Sequence, residues 1–139
     1  MAKVHSQNEK IVTEFRENEG KVGGYFAGRP LLLLTTTGSK SGEEYISPVM
    51  YDTDGDRLLV FASKGGAPTN PSWYYNLVAN PEITVEVGTE EFKAKATVVT
   101  GEERDRLYER WAKKYPQFAE YQRKVERKIP VIALERMDS

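Results

Sequence analysis

A chain of 139 residues with 39% hydrophobic and 29% charged residues has the composition of a folded globular protein, and we expect residues 1–139 to form one domain. A net charge of −1 provides no basic field for nucleic acid, so no nucleic-acid partner is expected. Because the chain has no cysteine, disulfides, thiolate nucleophiles and cysteine metal sites are excluded.

The only histidine, His5, lies in a polar N-terminal segment that we expect to be flexible through residue 7. A metal site or a catalytic triad built on this histidine is therefore not expected. The segment has no apolar core and does not read as a secretory signal, which predicts a cytoplasmic protein. If the chain is an enzyme, a cofactor is expected to supply the difficult chemistry.

Hydrophobic periodicity and turn residues predict a mixed chain whose strands are mostly joined by hairpins. The predicted helices are 8–19, a short helix starting at Asn70 or Pro71, 100–114 with a capping box at Thr100 and Glu103, and 118–128. The predicted strands are the leucine run from residue 31, then 45–51, 58–62, 82–87, 92–99 and 129–134, with a turn at 52–56.

Hairpin connections favour an antiparallel sheet or small barrel with helices packed outside it, rather than a doubly wound fold. Pro48 cannot donate to a sheet ladder and predicts an edge or a bulge. The strict alternation of apolar and polar residues at 82–87 and 92–99 predicts a hairpin with one buried face.

Two loops of small residues each carry a lysine, and each follows a predicted strand. The first loop, residues 38–42, reads GSKSG, and the second loop, residues 63–66, reads SKGG. Glycines let successive N–H groups converge, hydroxyls add donors, and the lysine adds charge, which together suit an anion such as phosphate. The alternative is a pair of ordinary turns with solvated lysines. Neither loop has the spacing of a dinucleotide site or a P-loop.

Three blocks, in their order and spacing, resemble the deazaflavin-dependent nitroreductase family of actinobacteria. They are 33–42 (LLTTTGSKSG), 62–66 (ASKGG) with the following NPSWY at 70–74, and Tyr115-Pro116 leading to Tyr121. The resemblance covers roughly residues 8–134. It implies an α+β, mainly β fold: a split β-barrel like that of flavin reductases and pyridoxine phosphate oxidases, with peripheral helices. It also implies coenzyme F-420, an 8-hydroxy-5-deazaflavin, as the cofactor of an oxidoreductase.

The resemblance also implies roles for individual residues. The first loop would grip the coenzyme phosphate, and the second loop would lie along the deazaflavin ring. Ser63, Tyr115 and Tyr121 are the implied catalytic donors, and Tyr115, Phe118 and Tyr121 the implied substrate pocket. The implied cofactor-binding residues are Gly38, Ser39, Lys40, Ser41, Tyr45, Ser47, Phe61, Ala62, Ser63, Lys64, Gly65, Trp73, Tyr74 and Asn76.

The chain departs from the family pattern at three positions. Ser39 and Tyr45 stand where the family commonly has arginine, which predicts weaker binding of an anionic coenzyme. Phe118 stands where some nitroreducing members have tyrosine, which predicts a poor nitroreductase. The implied reaction is hydride transfer from reduced coenzyme F-420 to an electron-poor acceptor, a quinone or a nitroaromatic. Two alternatives stay open: a flavin mononucleotide oxidoreductase on the same fold, and a non-catalytic deazaflavin carrier.

Two predicted surfaces bear on whether the protein binds a membrane or another protein. Ile11, Val12 and Phe15 form one face of the first predicted helix, which either packs on the barrel or brings the protein to a membrane. The basic run at Arg123, Lys124, Arg127 and Lys128 is predicted to be a solvated face. A homodimer is also consistent with the implied fold.

Overall fold

The structure is a computed structural model that describes residues 2–137, with Tyr25 described by its backbone alone. In that part of the chain the strands are β1 (Lys3–Val4), β2 (Leu31–Thr37), β3 (Glu44–Asp54), β4 (Arg57–Phe61), β5 (Glu82–Val87), β6 (Glu90–Val99) and β7 (Val131–Arg136). The α-helices are α1 (Glu9–Glu17), α2 (Ser72–Ala79), α3 (Gly101–Lys114) and α4 (Gln117–Lys124).

Strands β2 to β7 form a closed antiparallel barrel, as the hairpin pattern predicts. The order around the barrel is β3-β2-β5-β6-β7-β4, and pairing of β3 with β4 closes it. Strand β1 lies inside the segment expected to be flexible and pairs in parallel with β3, with Lys3 opposite Tyr45. Pro48 pairs with β2 only, between the parts of β3 that face β1 and β4, so the predicted edge position is confirmed.

Alternate residues along the strands supply two buried clusters, one on each face of the curved sheet. The inner cluster fills the barrel, and α2 closes one end of it with Trp73 and Leu77. The outer cluster lies between the barrel and helices α1, α3 and α4. The largest outer residues are aromatic: Phe15, Phe61, Tyr108, Trp111 and Phe118.

Helix α1 packs on the barrel through its apolar face. Val12 and Phe15 are 5% and 1% exposed, and Ile11 packs against the same cluster. Because these side chains are already buried, the alternative in which this face meets a membrane is wrong. None of the helices among residues 2–137 combines the length and apolar character needed to cross a bilayer.

The predicted turn at 52–56 is shorter in the structure, because Asp52 belongs to β3 and is buried. Its carboxylate accepts hydrogen bonds from Lys114 at 2.8 Å and Arg110 at 3.2 Å, and from the backbone N–H of Thr53. Burial alone would raise the pKa of Asp52, but these hydrogen bonds and cationic charges outweigh it and hold the pKa below its usual value. Asp52 therefore anchors the end of α3 to the barrel.

The capping box predicted at the start of α3 is wrong. Thr100 takes the N-cap position but makes no side-chain capping hydrogen bond. The carboxylate of Glu103 instead accepts a hydrogen bond from Arg57 at 2.9 Å, and Arg57 also binds Asp54. An ion pair with a distant strand has replaced the local contact that the sequence pattern suggests.

Residues 125–130 form an irregular segment, where the sequence predicts a helix to 128 and a strand from 129. Arg104 of α3, 7% exposed, donates two hydrogen bonds to the carbonyl of Ile129 at 2.7 and 3.0 Å. Gln122 accepts from Arg104 and from the Ile129 N–H and donates to the Arg127 carbonyl. These side chains take up the backbone groups that a helix or strand would have paired.

Strand directions bring both loops and the start of β5 to one end of the barrel, called here the loop end. The first loop joins β2 to β3, the second loop follows β4, and α2 leads into β5 at the same end. The segment that contains α4 leads into β7 there, since Phe61 and Val131 are paired. The turns at Gly55 and Gly88 lie at the opposite end.

Candidate functional site

The first loop is closed on itself by backbone hydrogen bonds from Gly38 to Glu43 and from Gly42 to Gly38. A side chain at Gly38 would clash, because its Cβ would lie 2.5 Å from Ser41 Oγ and 2.9 Å from the Tyr45 ring. Ser41 Oγ and the Tyr45 hydroxyl lie 3.3 Å apart. This packing explains why the loop needs glycine where the strand ends.

The acidic Glu43 beside this loop is paired with the N-terminal strand. Lys3 Nζ lies 2.8 Å from its carboxylate, and the Tyr45 hydroxyl donates to the same group at 3.3 Å. The hydrogen bond from Lys3, together with its charge, holds the pKa of Glu43 below its usual value. The local charge of Glu43 is thus offset where an anion would approach.

Asn76, in the middle of α2, ties the first loop to the helix. Its Oδ1 accepts from the Ser39 N–H at 3.1 Å, and its Nδ2 donates to Thr36 Oγ1 at 3.2 Å. Asn80, one turn later, donates to the Thr37 carbonyl. Asn76 is 8% exposed and both ends of its amide are engaged, so the structure gives it the role of fixing the loop.

Asn76→Asp tests this arrangement. A carboxylate still accepts from the Ser39 N–H, and the Thr36 hydroxyl, which accepts from the Asn76 amide, turns to donate to it. The carboxylate also places a negative charge directly under the loop. We expect inorganic phosphate and coenzyme F-420 to bind about tenfold more weakly, roughly 1.4 kcal/mol, in an equilibrium titration. The exposed Asn18→Asp is the matched control and should bind as the wild type does. Equal affinity in Asn76→Asp, with an unchanged unfolding temperature, would contradict the placement of the anion.

The second loop has an unusual backbone. Ser63 is right-handed at φ −79°, and Lys64 then takes a left-handed φ of 47°, followed by Gly65 and Gly66 at 63° and 83°. A right-handed residue followed by a left-handed one turns successive N–H groups toward a common point, an arrangement that binds anions. A left-handed conformation is strained for lysine, which indicates that surrounding contacts hold the loop.

Each loop leaves two consecutive N–H groups available to a ligand. Among residues 2–137, the N–H groups of Lys40 and Ser41 in the first loop, and of Lys64 and Gly65 in the second loop, donate to no acceptor of the chain. Lys40 and Lys64 form no ion pair within the described residues, and Lys64 Nζ only approaches Thr69 Oγ1 at 3.5 Å. The donors and charges therefore fit an anionic ligand with more than one acceptor group.

The aromatic residues of the implied substrate pocket divide into two groups. Tyr115 and Tyr121 are half-buried, whereas Phe118 is 7% exposed, with its ring edge-on to Phe61 and Trp111. Tyr121 borders the second loop, since a Cβ at Gly66 would lie 3.2 Å from Tyr121 Cα. The structure thus brings Tyr121 to the second loop and places the Phe118 ring in the core. Tyr115 instead packs against Trp111 and lies near Arg29, before the start of β2.

The hydroxyl of Tyr108, a third tyrosine in this region, donates to the Phe118 carbonyl at 2.6 Å. Burial raises the pKa of Tyr108 to about 12, so the group keeps its proton at neutral pH. This hydrogen bond joins α3 to α4 and keeps Phe118 in the outer cluster, between the barrel and the helices. Tyr108 is therefore structural, and the tyrosines left for the site are Tyr115 and Tyr121.

The remaining predicted residues differ in position and exposure, and Ser47 pairs with Leu34 in the middle of β2. Ser63 is 7% exposed, and its hydroxyl has no hydrogen-bond partner among residues 2–137. Trp73 is buried in the barrel, and Tyr74 packs against the same cluster. The ring of Phe61 stacks on Trp111 at 4.7 Å, so only its backbone reaches the site. Ala62 is buried and Ser47 half-buried.

Sequence reasoning missed Arg127. Its predicted place on a solvated basic face is wrong, because the side chain is half-buried and hydrogen-bonded to the second loop and to Asn70. The predicted cap at Asn70 is wrong for the same reason. Helix α2 begins at Ser72 with Pro71 as its N-cap residue, and the Asn70 side chain binds Arg127. No local signal identifies a contact across 57 residues.

Nearly the whole chain is similar to proteins of one known family. Residues 8–136 match the model of the F420H(2)-dependent quinone reductase family. An F420H(2)-dependent quinone reductase of Mycobacterium tuberculosis is 39% identical over 129 residues, which cover 88% of this chain and 85% of the relative. A solved F420-H2 dependent reductase, FDR-A, is 40% identical with a TM-score of 0.71, over 81% of this chain and 100% of that chain.

Two further solved structures bear on architecture. One described as a domain-swapped dimer is 38% identical with a TM-score of 0.72, over 94% of this chain and 95% of that chain. A pyridoxamine 5'-phosphate oxidase from Listeria innocua is 14% identical with a TM-score of 0.56, over 95% and 94% of the two chains, which supports the fold alone. With the family model spanning nearly the whole chain, this protein belongs to the F420H(2)-dependent quinone reductase family.

Proposed function

We propose that this protein transfers a hydride from reduced coenzyme F-420 to a quinone at the loop end of the barrel. The observation that carries the proposal is the pair of lysine-containing loops there. Among residues 2–137, each loop has two N–H groups that donate to no acceptor and a lysine that forms no ion pair. Family membership supports the same coenzyme and the same class of reaction. When bound, the coenzyme supplies the hydride, which no side chain of this protein can provide.

The two loops have separate tasks in this proposal. Lys40, with the backbone N–H groups of Lys40 and Ser41, holds the phosphate, while Asn76 keeps the loop in place from below. The N–H groups of Lys64 and Gly65 are offered to the ring system, where preorganised donors stabilise negative charge that develops during the reaction. The hydroxyl of Ser63, a residue that is 7% exposed, adds a donor beside them.

The half-buried tyrosines complete the site on the quinone side. Tyr115 and Tyr121 donate hydrogen bonds to the quinone oxygen as it gains negative charge. The quinone accepts one hydride and one proton and becomes the hydroquinone. A tyrosine hydroxyl is a weak acid at neutral pH, so the proton reaches the oxygen from solvent. The Phe118 ring lies in the core, so its lack of a hydroxyl does not act on the acceptor. Membership of the quinone reductase family is the reason to expect nitroaromatic compounds to be poorer acceptors than quinones.

Steady-state kinetics test the proposal. Purified protein is mixed with reduced coenzyme F-420 and the soluble quinone menadione, and reoxidation is followed by absorbance. We expect turnover above the uncatalysed rate, slower turnover with a nitroaromatic acceptor, and no tight binding of flavin mononucleotide. Coenzyme binding without turnover on any acceptor would favour the carrier, and tight flavin binding in place of deazaflavin binding would favour the flavin enzyme.

A homodimer is part of the proposal, since a similar solved structure is described as a domain-swapped dimer. Sedimentation velocity at several concentrations measures the state of this chain directly. We also place the protein in the cytoplasm, with peripheral membrane association as the finer proposal. The exposed Tyr75 and Val78 of α2, 50% and 53% exposed, supply the apolar contact, and co-sedimentation with lipid vesicles measures it.

A further inference from the structure

Arg127 makes an unusual number of contacts with one short segment of the chain. Its guanidinium donates to the carbonyls of Ser63 at 3.0 Å, Ala67 at 3.1 Å and Ala62 at 3.2 Å. It also donates to Asn70 Oδ1. One side chain thus takes up acceptors from both ends of the second loop and from the segment that leads into α2.

The second loop depends on such a contact. Lys64 has a left-handed φ of 47°, a conformation that a lysine does not adopt without support from its surroundings. The carbonyls of Ala62 and Ser63, directly before the turn, both point to the Arg127 guanidinium. A planar group with donors in fixed directions suits this geometry, and a lysine ammonium does not reproduce it.

Arg127 is itself held in place by side chains of α3 and α4. The amide of Gln122 donates to the Arg127 carbonyl at 2.8 Å, and its oxygen accepts from the buried Arg104 at 2.7 Å. Helix α3 therefore positions α4, α4 positions Arg127, and Arg127 positions the second loop. The first loop is held separately, by Asn76 of α2.

We propose that Arg127 is a positioning residue for hydride transfer, whose guanidinium keeps the second loop in the conformation that offers the Lys64 and Gly65 N–H groups to the coenzyme. The inference rests on the proposed function for its catalytic part and on the contacts alone for its structural part. Because the first loop has its own contact with Asn76, and Arg127 reaches α2 only through the segment before it, loss of Arg127 affects the ring end of the site more than the phosphate end.

The test uses Arg127→Met, Arg127→Lys and the matched control Arg123→Met. The Arg123 side chain is 64% exposed and, within the part of the chain that the structure describes, forms an ion pair only with Glu120. Amide hydrogen exchange in the coenzyme-free protein is measured for residues 62–70 and 38–42. We expect about tenfold faster exchange at 62–70 in Arg127→Met, unchanged exchange at 38–42, and wild-type behaviour in the control. Unchanged exchange at 62–70 in a folded Arg127→Met protein would overturn the proposal.

Kinetics supply the second readout. We expect kcat to fall about tenfold in Arg127→Met with less than a threefold change in KM for reduced coenzyme, no recovery in Arg127→Lys, and partial recovery when guanidinium is added at low concentration. A wild-type kcat in Arg127→Met would overturn the proposed role of Arg127 and leave the proposed function standing. Absence of turnover in the wild-type protein overturns the proposed function, and hydrogen exchange then decides by itself whether Arg127 holds the loop.

Discussion

Replacing both Lys40 and Lys64 with alanine is expected to weaken binding of oxidised coenzyme F-420 about 100-fold. Each charge-assisted contact contributes roughly 1.5 kcal/mol, so each single replacement should cost about tenfold. Neither lysine forms an ion pair among the described residues, so removing them leaves no carboxylate unpaired and the fold should persist. Fluorescence titration of the coenzyme gives the dissociation constants.

The control for each single replacement is Lys93→Ala, which removes the same single charge from an exposed position near the Glu90 end of β6. It should bind the coenzyme as the wild type does at moderate salt. If the double variant also kept wild-type affinity, the anion would not be held by these loops. If Lys93→Ala weakened coenzyme binding as much as replacing a loop lysine does, the effect would come from the net charge of the protein and not from the position of the lysine.

Replacing Arg104 with methionine is expected to lower the free energy of unfolding by about 3 kcal/mol. Arg104 is 7% exposed and binds the Ile129 carbonyl, Gln122 and Asp105, and its guanidinium lies 4.4 Å from the Tyr108 ring centre. Methionine fills part of the space but donates nothing, so the carbonyl of Ile129 is left buried without these two hydrogen bonds. Urea denaturation measures the change.

The matched control is Arg106→Met on the same helix, where the side chain is 60% exposed and lies 4.0 Å from Glu103. Exposed ion pairs of this kind contribute little, so its cost should stay below about 0.5 kcal/mol. An Arg104→Met protein within that range of the wild type would contradict the structural role given to this network.

The family, the enzyme class and the coenzyme were accessible from the sequence, and the family match confirms all three. The barrel was accessible as well, because alternating strands and hairpin turns are local patterns. Ile83 and Val85, predicted to face inward, are 2% and 0% exposed. Strands and hairpin turns depend on residues that are close together in the sequence. The local order of apolar, polar and turn residues is therefore enough to predict them.

The contacts that fix the two loops were not accessible. Asn76 reaches Ser39 across 37 residues, and Arg127 reaches Ser63 across 64. Each is a side chain that binds a distant backbone group, and only the folded chain brings the two together. The same reason explains the capping errors, since Asn70 and Glu103 each bind an arginine far along the sequence.

In the proposed complex, the coenzyme lies between the two loops at the loop end of the barrel. Its position is measured by titrating isotope-labelled protein with oxidised coenzyme F-420 and following the amide signals by nuclear magnetic resonance. We expect the largest shifts at the amides of Lys40, Ser41, Lys64 and Gly65. Largest shifts at the opposite end, around the turns at 55–56 and 88–89, with the loop amides unmoved, would contradict it.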